Sequence, residues 1–350
     1  MIIHIRYLRQ LLQGRRHSWW RSLATLATLS FTMVLIASCT GMIPQSIRNN
    51  PPSTMSPSSA VRPIDHAMGT TQVPKIPERV VVIDSAALDA VLALGVKPIG
   101  STIYGDPIDG AWPAYLGQQT QDIEIVGEVN QPNLESILKL QPDLILGTKV
   151  SAERLYRPLS RIAPTVLTEG SGRSGDWKEN FLLFAAALDK TDRANQLIED
   201  YQQRVSELRA QFTQAKNMSV TDMQISVLTT GQGRIGFYTL NSFPGSVLQD
   251  IGFARPPAQT RPQRWAAMVS REELDSLDGD VIFLIHSAQA SRSMTIEEFT
   301  RDPILSQMSA VQTGQIYQVN GESWVAGRSI QAAHQILDDI TQSLLEPRAN

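Results

Sequence analysis

One uninterrupted helical segment near the middle of the chain most constrains the fold. Residues 176–216 contain neither Gly nor Pro, and their apolar side chains recur at helical spacing. On both sides of this segment, short apolar runs alternate with helical patterns, which is typical of mainly parallel sheets covered by helices. We therefore expect an α/β protein with two lobes, each with a mainly parallel sheet flanked by helices. A long connecting helix, bent near Asp189, should join them.

The start of the connector and the neighbouring elements follow from local patterns. Asp176 and Glu179 have the spacing of a capping box, which marks the first turn of a helix. A closing helix is expected over residues 330–345. The expected strands cover residues 80–83, 96–100, 124–126, 144–146 and 165–167 in the first lobe and 225–228 and 281–284 in the second.

A short pattern before one strand of each lobe occurs twice at the same spacing. The two sets are Glu135, Ile137, Leu140 and Asp143 in the first lobe and Glu272, Leu274, Leu277 and Asp280 in the second. Internal similarity of this kind is a sign of repeated structural units. The two lobes should therefore resemble each other.

The N-terminus has the pattern of a secretory signal. Five arginines and no acidic residue precede Cys39, and an apolar run over residues 23–36 ends at the small residues Ala37 and Ser38. An uncleaved membrane helix is the alternative, although the apolar run is short for a membrane span. Cys39 is the only cysteine, so an intrachain disulfide is excluded. Its context resembles a bacterial lipoprotein lipobox, which implies lipidation of Cys39; a free thiol is the alternative.

Composition and charge change after the predicted signal. The segment up to residue 76 is rich in Pro, Ser, Asn and Gln, which predicts a flexible tether. Without the five arginines of the signal the chain has 26 basic and 34 acidic residues, and this acidic balance argues against nucleic-acid binding. The expected domains are a signal peptide over 1–38, a tether over 39–76, a first lobe over 77–175, the connector over 176–216 and a second lobe over 217–346.

Motifs for enzyme chemistry are weak. Residues 170–175 fit the pattern G-x-G-x-x-G, which leaves a nucleotide-dependent enzyme as an alternative, but the βαβ context of a dinucleotide site is missing. The three histidines after residue 38 are widely separated, and G-x-S-x-G is absent. We expect a protein that is not an enzyme and has no resident metal or cofactor.

Several segments in order resemble the periplasmic iron-siderophore-binding proteins of ABC importers. These are residues 79–100, 126–135, 140–147, 162–165, 177–188, 242–248 and 324–334. The resemblance, which extends over residues 76–345, implies a shallow cleft between the lobes that takes up a ferric siderophore of the hydroxamate or citrate type. It also implies delivery to a permease, iron present only as the siderophore complex, and a monomer anchored in the periplasm or at the outer face of the cell membrane. Haem or a corrinoid is an alternative ligand for the same fold.

Candidate ligand-binding residues carry guanidinium groups for carboxylates and aromatic faces for the organic rim. The resemblance favours Trp324 and Arg328 first; the other candidates are Tyr104, Lys149, Arg173, Tyr238, Arg261 and Arg264. The relatives carry an arginine where Ser151 aligns, so Lys149 is expected to replace it or the ligand to be less acidic. This departure favours a mixed hydroxamate–citrate siderophore over ferric citrate.

Importer docking in the resembled family uses one acidic residue on each lobe. Glu135 matches the position in the first lobe. Gln249 occupies the position in the second lobe, and Asp250 beside it is the candidate substitute.

Overall fold

The protein is described by a computed structural model that covers residues 60–104, 112–231, 234–260, 264–286 and 293–346. The predicted signal peptide, the lipidation site at Cys39, most of the tether and Arg261 lie outside the described residues. No helix in the described ranges has the length and apolar character needed to cross a membrane.

The first lobe contains a hairpin and a six-stranded sheet. The hairpin consists of β1 (Val61–His66) and β2 (Gly69–Pro74), which pair antiparallel. The sheet consists of β3 (Val80–Val82), β4 (Gly100–Ile103), β5 (Glu124–Glu128), β6 (Gln131–Pro132), β7 (Leu144–Thr148) and β8 (Thr165–Thr168), with the order β6-β5-β4-β3-β7-β8. All neighbours are parallel except β5 and β6. Its helices are α1 (Ser85–Ala93), α2 (Leu134–Lys139), α3 (Lys149–Ala152) and α4 (Tyr156–Leu159).

The connector consists of two helices, α5 (Trp177–Leu188) and α6 (Thr191–Lys216). Asp189 ends α5 with a left-handed backbone, φ 59°, so the predicted bend near this residue is confirmed. The predicted capping box is wrong: Asp176 makes no capping hydrogen bond to the helix, and its carboxylate accepts from the Asn180 side chain instead.

The second lobe contains a five-stranded sheet with the order β11-β10-β9-β12-β13. The strands are β9 (Ile225–Gly231), β10 (Arg234–Tyr238), β11 (Ala266–Val269), β12 (Val281–His286) and β13 (Ile316–Asn320). The central strands β9, β12 and β13 are parallel, and β10 is antiparallel to both of its neighbours. The helices are α7 (Phe243–Ile251), α8 (Ile296–Arg301), α9 (Ser309–Gln312) and α10 (Ile330–Leu344), and a π-helical segment covers Glu322–Gly327. The chain is thus the two-lobed α/β protein that the sequence predicts.

The two lobes share a repeated unit built around an aspartate. Asp143 accepts hydrogen bonds from the backbone amides of Glu78 and Arg79 just before β3, at 2.8 and 3.0 Å. Asp280 accepts from the amide of Gln224 just before β9, at 2.7 Å. In each lobe the strand that follows the aspartate pairs in parallel with the strand whose preceding amides the aspartate binds: β7 with β3 in the first lobe and β12 with β9 in the second. The repeated sequence pattern therefore marks equivalent positions in the two sheets.

The hairpin corrects the predicted tether, which is wrong for residues 61–74. Ile64 and Val73 are buried, and the hairpin turn donates a backbone hydrogen bond to β8. Arg62 donates to two carbonyl groups in the last turn of α5. The folded part of the chain therefore begins before residue 77, with the hairpin covering one edge of the first lobe.

The first-lobe strand predicted over residues 96–100 lies further along the chain, at Gly100–Ile103. Pro98 has no amide proton to donate to a neighbouring strand, so residues 96–99 form the connection between α1 and β4 instead.

A continuous apolar core lies on the connector side of both lobes. Trp177, Tyr201 and Phe243 pack with their rings at nearly right angles, and α1, α5, α6 and α10 pack together around them. Edge-to-face ring packing of this kind stabilises a core beyond simple burial. The helices thus hold the lobes together, and the carboxyl ends of the parallel strands are left to form the site.

Candidate functional site

Polar residues follow the carboxyl ends of the parallel strands in the first sheet. Asp84 follows β3, Tyr104 follows β4, Lys149 follows β7 and Glu169 follows β8. In open α/β sheets, ligands bind in the crevice outside these ends. This edge of the sheet is therefore the candidate site.

Arg328 reaches this edge from the second lobe, but only 1% of its surface is exposed. Its Nη2 atom lies 3.0 Å from Asp84 Oδ1 and also donates to Ser85 Oγ at 2.9 Å and to the Tyr104 hydroxyl at 3.1 Å. Its Nη1 atom donates to the carbonyl of Ser171. The guanidinium predicted to bind a ligand carboxylate is therefore engaged by groups of the protein.

Trp324 lies in the core of the second lobe and has no exposed surface. Its ring is 4.9 Å from that of Phe283, and its Nε1 atom donates to Asp339 Oδ2 at 2.7 Å. A side chain enclosed in this way is not placed to contact a ligand. The structure therefore corrects the prediction that Trp324 supplies the aromatic face of the site.

The structure brings four other residues together between the lobes, and we call them the cleft cluster: Tyr104, Arg173, Tyr238 and Trp265. Arg173 Nη2 lies 3.3 Å from the Tyr104 hydroxyl, and the guanidinium carbon is 5.8 Å from the centre of the Trp265 ring. Tyr238 packs against the other aromatic member, with the ring centres of Tyr238 and Trp265 6.1 Å apart. The Trp265 side chain is partly exposed, at 39%. The cluster thus combines a cation with the ring of Trp265, which solvent can reach, and with the buried ring of Tyr238.

Burial keeps the hydroxyl of Tyr238 protonated. It raises the pKa of this tyrosine to about 12, and the nearby charge of Arg173 opposes the shift only in part. The hydroxyl of Tyr238 therefore adds no charge to the cleft cluster at neutral pH, and Arg173 is its cation.

Trp265 is the one member of the cleft cluster that the sequence does not single out. The sequence feature that could have indicated Trp265 is its neighbour Arg264: a cation and an aromatic residue stand side by side directly before a strand. No glycine motif or repeat in the sequence indicates this position. Arg264 itself is exposed, and its carbonyl accepts a hydrogen bond from the Thr239 side chain.

Lys149 forms an ion pair with Glu169 at 2.8 Å. This partner raises the pKa of the lysine, although the side chain of Glu169 is largely exposed. Ser151, the position where an arginine is expected from the resemblance, donates its hydroxyl back to the carbonyl of Thr148. The positive charge of Lys149, at the start of α3, is therefore matched by an acid of the protein.

The two predicted docking acids differ in their surroundings. Glu135 lies on α2 with 76% of its side chain exposed and pairs with Lys139 one turn later, at 2.8 Å. Asp250 on α7 pairs with Lys178 at 2.7 Å and accepts a hydrogen bond from the Tyr201 hydroxyl at 2.8 Å. Asp250 thus holds α7 against the connector, whereas Glu135 is accessible.

The glycines of residues 170–175 serve close packing. A Cβ atom on Gly170 would lie 1.4 Å from Asp176 Oδ2, and one on Gly172 would lie 2.9 Å from the carbonyl of Arg328. The pattern read as a nucleotide motif is therefore explained by a loop that packs tightly between α5 and the second lobe.

Asp89 on α1 caps α10 across the two lobes. Its fully buried carboxylate accepts from the backbone amides of Gln331 and Ala332, at 3.0 and 2.9 Å, and from the Tyr115 hydroxyl at 2.9 Å. Ser329, at the N-cap position of α10, makes no capping hydrogen bond with its side chain. Burial raises the pKa of Asp89 to about 7, because desolvation outweighs these donors.

This shift predicts how stability depends on pH. The folded protein binds a proton at Asp89 more tightly than the unfolded chain does. Protonation of Asp89 therefore stabilises the fold, fully below pH 3.8, and this contribution is lost as the pH rises to about 7. In urea unfolding, the advantage of wild type over Asp89→Asn should shrink by about 2 kcal/mol between pH ~5 and pH ~7.5. His66 and His334, whose pKa values burial lowers, act in the opposite direction, but they are present in both proteins and cancel. An advantage that is equal at both pH values would contradict this expectation.

Within the described ranges, no group of three or more His, Cys, Asp or Glu side chains is placed to hold a metal ion.

Known proteins resemble this chain over most of its length. A family model described as periplasmic binding protein matches residues 80–322. The probable siderophore-binding lipoprotein YfiY of Bacillus subtilis (strain 168) is 34% identical over 304 residues, which cover 83% of this chain and 90% of that protein. The achromobactin-binding periplasmic protein of Dickeya dadantii (strain 3937) is 31% identical, with coverage of 76% and 86%. The crystal structure of Staphylococcus aureus SirA complexed with staphyloferrin B has a TM-score of 0.71 and 28% identity and covers 81% of this chain and 98% of that chain.

Proposed function

We propose that this chain, which belongs to the periplasmic binding protein family, captures a ferric siderophore of the hydroxamate or citrate type and delivers it to the permease of an ABC importer. The relatives described above include a probable siderophore-binding lipoprotein and an achromobactin-binding protein, and the SirA structure is complexed with staphyloferrin B. A ferric siderophore arrives with its iron already coordinated. The protein therefore has to recognise charge and organic surface, and it needs no metal ligands of its own.

The cleft cluster is the observation that carries the proposal. Arg173 offers a guanidinium that can bind a carboxylate with two parallel hydrogen bonds, and Trp265 offers a partly exposed ring beside it. Ligand sites in proteins combine apolar and aromatic walls with a few polar groups that fix orientation. This combination suits an anionic ligand with an organic rim.

The state of the cations favours a ligand with few free carboxylates. Two of the predicted ligand-binding cations, Arg328 and Lys149, are each paired with an acid of the protein. Arg173 instead contacts the hydroxyl of Tyr104 and the face of Trp265. A mixed hydroxamate–citrate siderophore, which carries less charge than ferric citrate, fits this arrangement.

The remaining parts of the proposal concern location and partners. Lipidation of Cys39 would hold a monomer in the periplasm or at the outer face of the cell membrane, since each buried CH₂ of an acyl chain contributes about 0.8 kcal/mol. Glu135, exposed on the first lobe, is the docking acid that we propose for the permease. Asp250 is a weaker candidate, because Lys178 and Tyr201 engage its carboxylate.

Tryptophan fluorescence tests the proposal. Titration with a ferric hydroxamate–citrate siderophore should quench the emission saturably at micromolar concentration, because the iron complex lies close to Trp265. Trp265→Phe should remove most of the quenching, whereas the buried Trp324, replaced by Phe, should leave it largely intact. Isothermal titration calorimetry on the same three proteins gives the affinity independently of the fluorophore.

Two results would count against the proposal. One is the absence of binding by any ferric siderophore in the micromolar range. The other is saturable binding of haem or a corrinoid with a porphyrin or corrin absorption band, which would identify the alternative ligand. The iron-free siderophore is the control for binding that depends on the metal complex.

A further inference from the structure

The segment after β13 belongs to the second lobe and contacts the first. It consists of the π-helical turn Glu322–Gly327 followed by Arg328, whose backbone is left-handed with φ 52°. Such a backbone is costly for a residue other than glycine, and π-helical turns are frequent at functional sites. The neighbours fit closely around it, because a Cβ atom on Gly327 would lie 2.3 Å from the Tyr115 hydroxyl of the first lobe. Contacts with both lobes therefore hold this segment in one conformation.

The guanidinium at the end of this segment bonds in three directions. Nε donates to the Ala326 carbonyl of its own segment at 3.1 Å, and Nη1 donates to the Ser171 carbonyl in the loop before the connector. Nη2 faces the first lobe, with Asp84 Oδ1 at 3.0 Å and the Tyr104 hydroxyl at 3.1 Å. A second link runs the other way, from the Ser85 hydroxyl to the Ala326 carbonyl at 2.6 Å. One side chain thus ties the second lobe to two strand ends and one loop of the first.

The Tyr104 hydroxyl connects this buried group to the cleft. It lies 3.1 Å from Arg328 Nη2 and 3.3 Å from Arg173 Nη2, so it can accept from both guanidiniums. Arg173 in turn lies over the ring of Trp265 in the second lobe. The position of the cleft cation is therefore coupled, through one hydroxyl, to the contact that sets the two lobes against each other.

We infer that Arg328 is a positioning residue: it holds the two lobes in register and places Tyr104 and Arg173 for the ligand, and it does not touch the ligand itself. The inference rests on the proposed function for its ligand measurements. Its prediction for the ligand-free protein is independent of that function, because the interlobe contacts exist without a ligand.

Hydrogen exchange of the ligand-free protein is the first measurement. In Arg328→Lys a single ammonium can pair with Asp84 but cannot also reach Ser171 and Tyr104, so exchange should rise by roughly 10-fold in peptides containing residues 84–104 and 168–175. Peptides of α6 should be unchanged. Arg204→Lys is the matched control, since Arg204 pairs with Asp338 at the surface between α6 and α10. Equal exchange in wild type and Arg328→Lys would overturn the inference, whatever the protein binds.

Affinities for ferric siderophores of different charge are the second measurement. Arg328→Lys should weaken the binding of a ferric trihydroxamate, a ferric hydroxamate–citrate and ferric citrate by a similar factor, roughly 10-fold. Displacement of Tyr104 and Arg173 in the cleft affects all three ligands. Arg173→Ala should weaken the carboxylate-bearing ligands most, because Arg173 is the group proposed to touch them. A loss in Arg328→Lys that grows with the number of ligand carboxylates would show direct contact and would overturn the inference. If wild type binds none of these ligands, the proposed function fails, and the exchange result alone decides the role of Arg328.

Discussion

Asp84→Ala is expected to lower the free energy of unfolding by about 3–5 kcal/mol, because it leaves the guanidinium of Arg328 buried without a counter-charge. Both side chains are almost completely buried, with 1% of the Arg328 side chain and 2% of the Asp84 side chain exposed. Asp84 also caps α1 by accepting from the amide of Ala86 at 2.9 Å, and loss of a helix cap costs about 1 kcal/mol more. Urea unfolding followed by circular dichroism measures the loss.

The buried pair can be separated from the cap by a double-mutant cycle. In Asp84→Ala/Arg328→Met no charge is left unpaired, so the double variant should be more stable than Asp84→Ala alone. Lys97→Ala is the matched control, since it breaks the exposed ion pair with Asp122 and should change stability by less than about 1 kcal/mol. A double variant that is less stable than Asp84→Ala would mean that Arg328 stabilises the lobes without its acid.

The fold could be predicted to a large extent because its signals are local and periodic. The alternation of apolar runs and helical patterns predicts both sheets, and the segment without Gly or Pro predicts the connector. The repeated aspartates, Asp143 and Asp280, occupy equivalent positions because each must satisfy the amides in front of a central strand. Here a sequence pattern and a structural requirement coincide.

The hairpin of residues 61–74 escapes prediction for a physical reason. Each of its strands buries only one apolar side chain, Ile64 or Val73, and the rest of its surface is polar or partly exposed. Its stability comes from contacts with β8 and α5 that are distant in sequence. Composition alone therefore resembles that of a tether.

For the candidate site, too, the residues could be proposed from the sequence, but their contacts with other elements could not. The resemblance predicts that Trp324 and Arg328 bind the ligand, but a sequence does not show which way each side chain points. The partners that enclose them lie on other elements: Asp84, beside Arg328, lies in the other lobe, and Phe283, beside Trp324, lies on β12. Trp265 reaches the cleft for the complementary reason, because the loop that carries it packs beside Arg173 of the first lobe.

Trp324→Ala is expected to lower the free energy of unfolding by about 3–5 kcal/mol, because it removes a large side chain from a packed core. The ring contacts Phe283, and its Nε1 atom donates to the partly buried Asp339, which would lose this donor. Burial already raises the pKa of Asp339, and loss of the hydrogen bond from Trp324, which lowers it, should raise it further. Thermal and urea unfolding measure the loss of stability.

The matched variant Trp324→Phe separates a core role from a ligand-binding role. Phe keeps most of the contact with Phe283 and removes the hydrogen bond to Asp339, so stability should fall by only about 1–3 kcal/mol. Because the indole has no exposed surface, the affinity for a ferric siderophore should stay within about 3-fold of wild type, a change of less than 1 kcal/mol. Trp265→Phe, at the exposed ring of the cleft cluster, should instead weaken binding with little change in stability. The reverse pattern, with binding lost in Trp324→Phe and retained in Trp265→Phe, would mean that the ligand enters the second lobe beside Trp324 and that the cleft cluster is not the site.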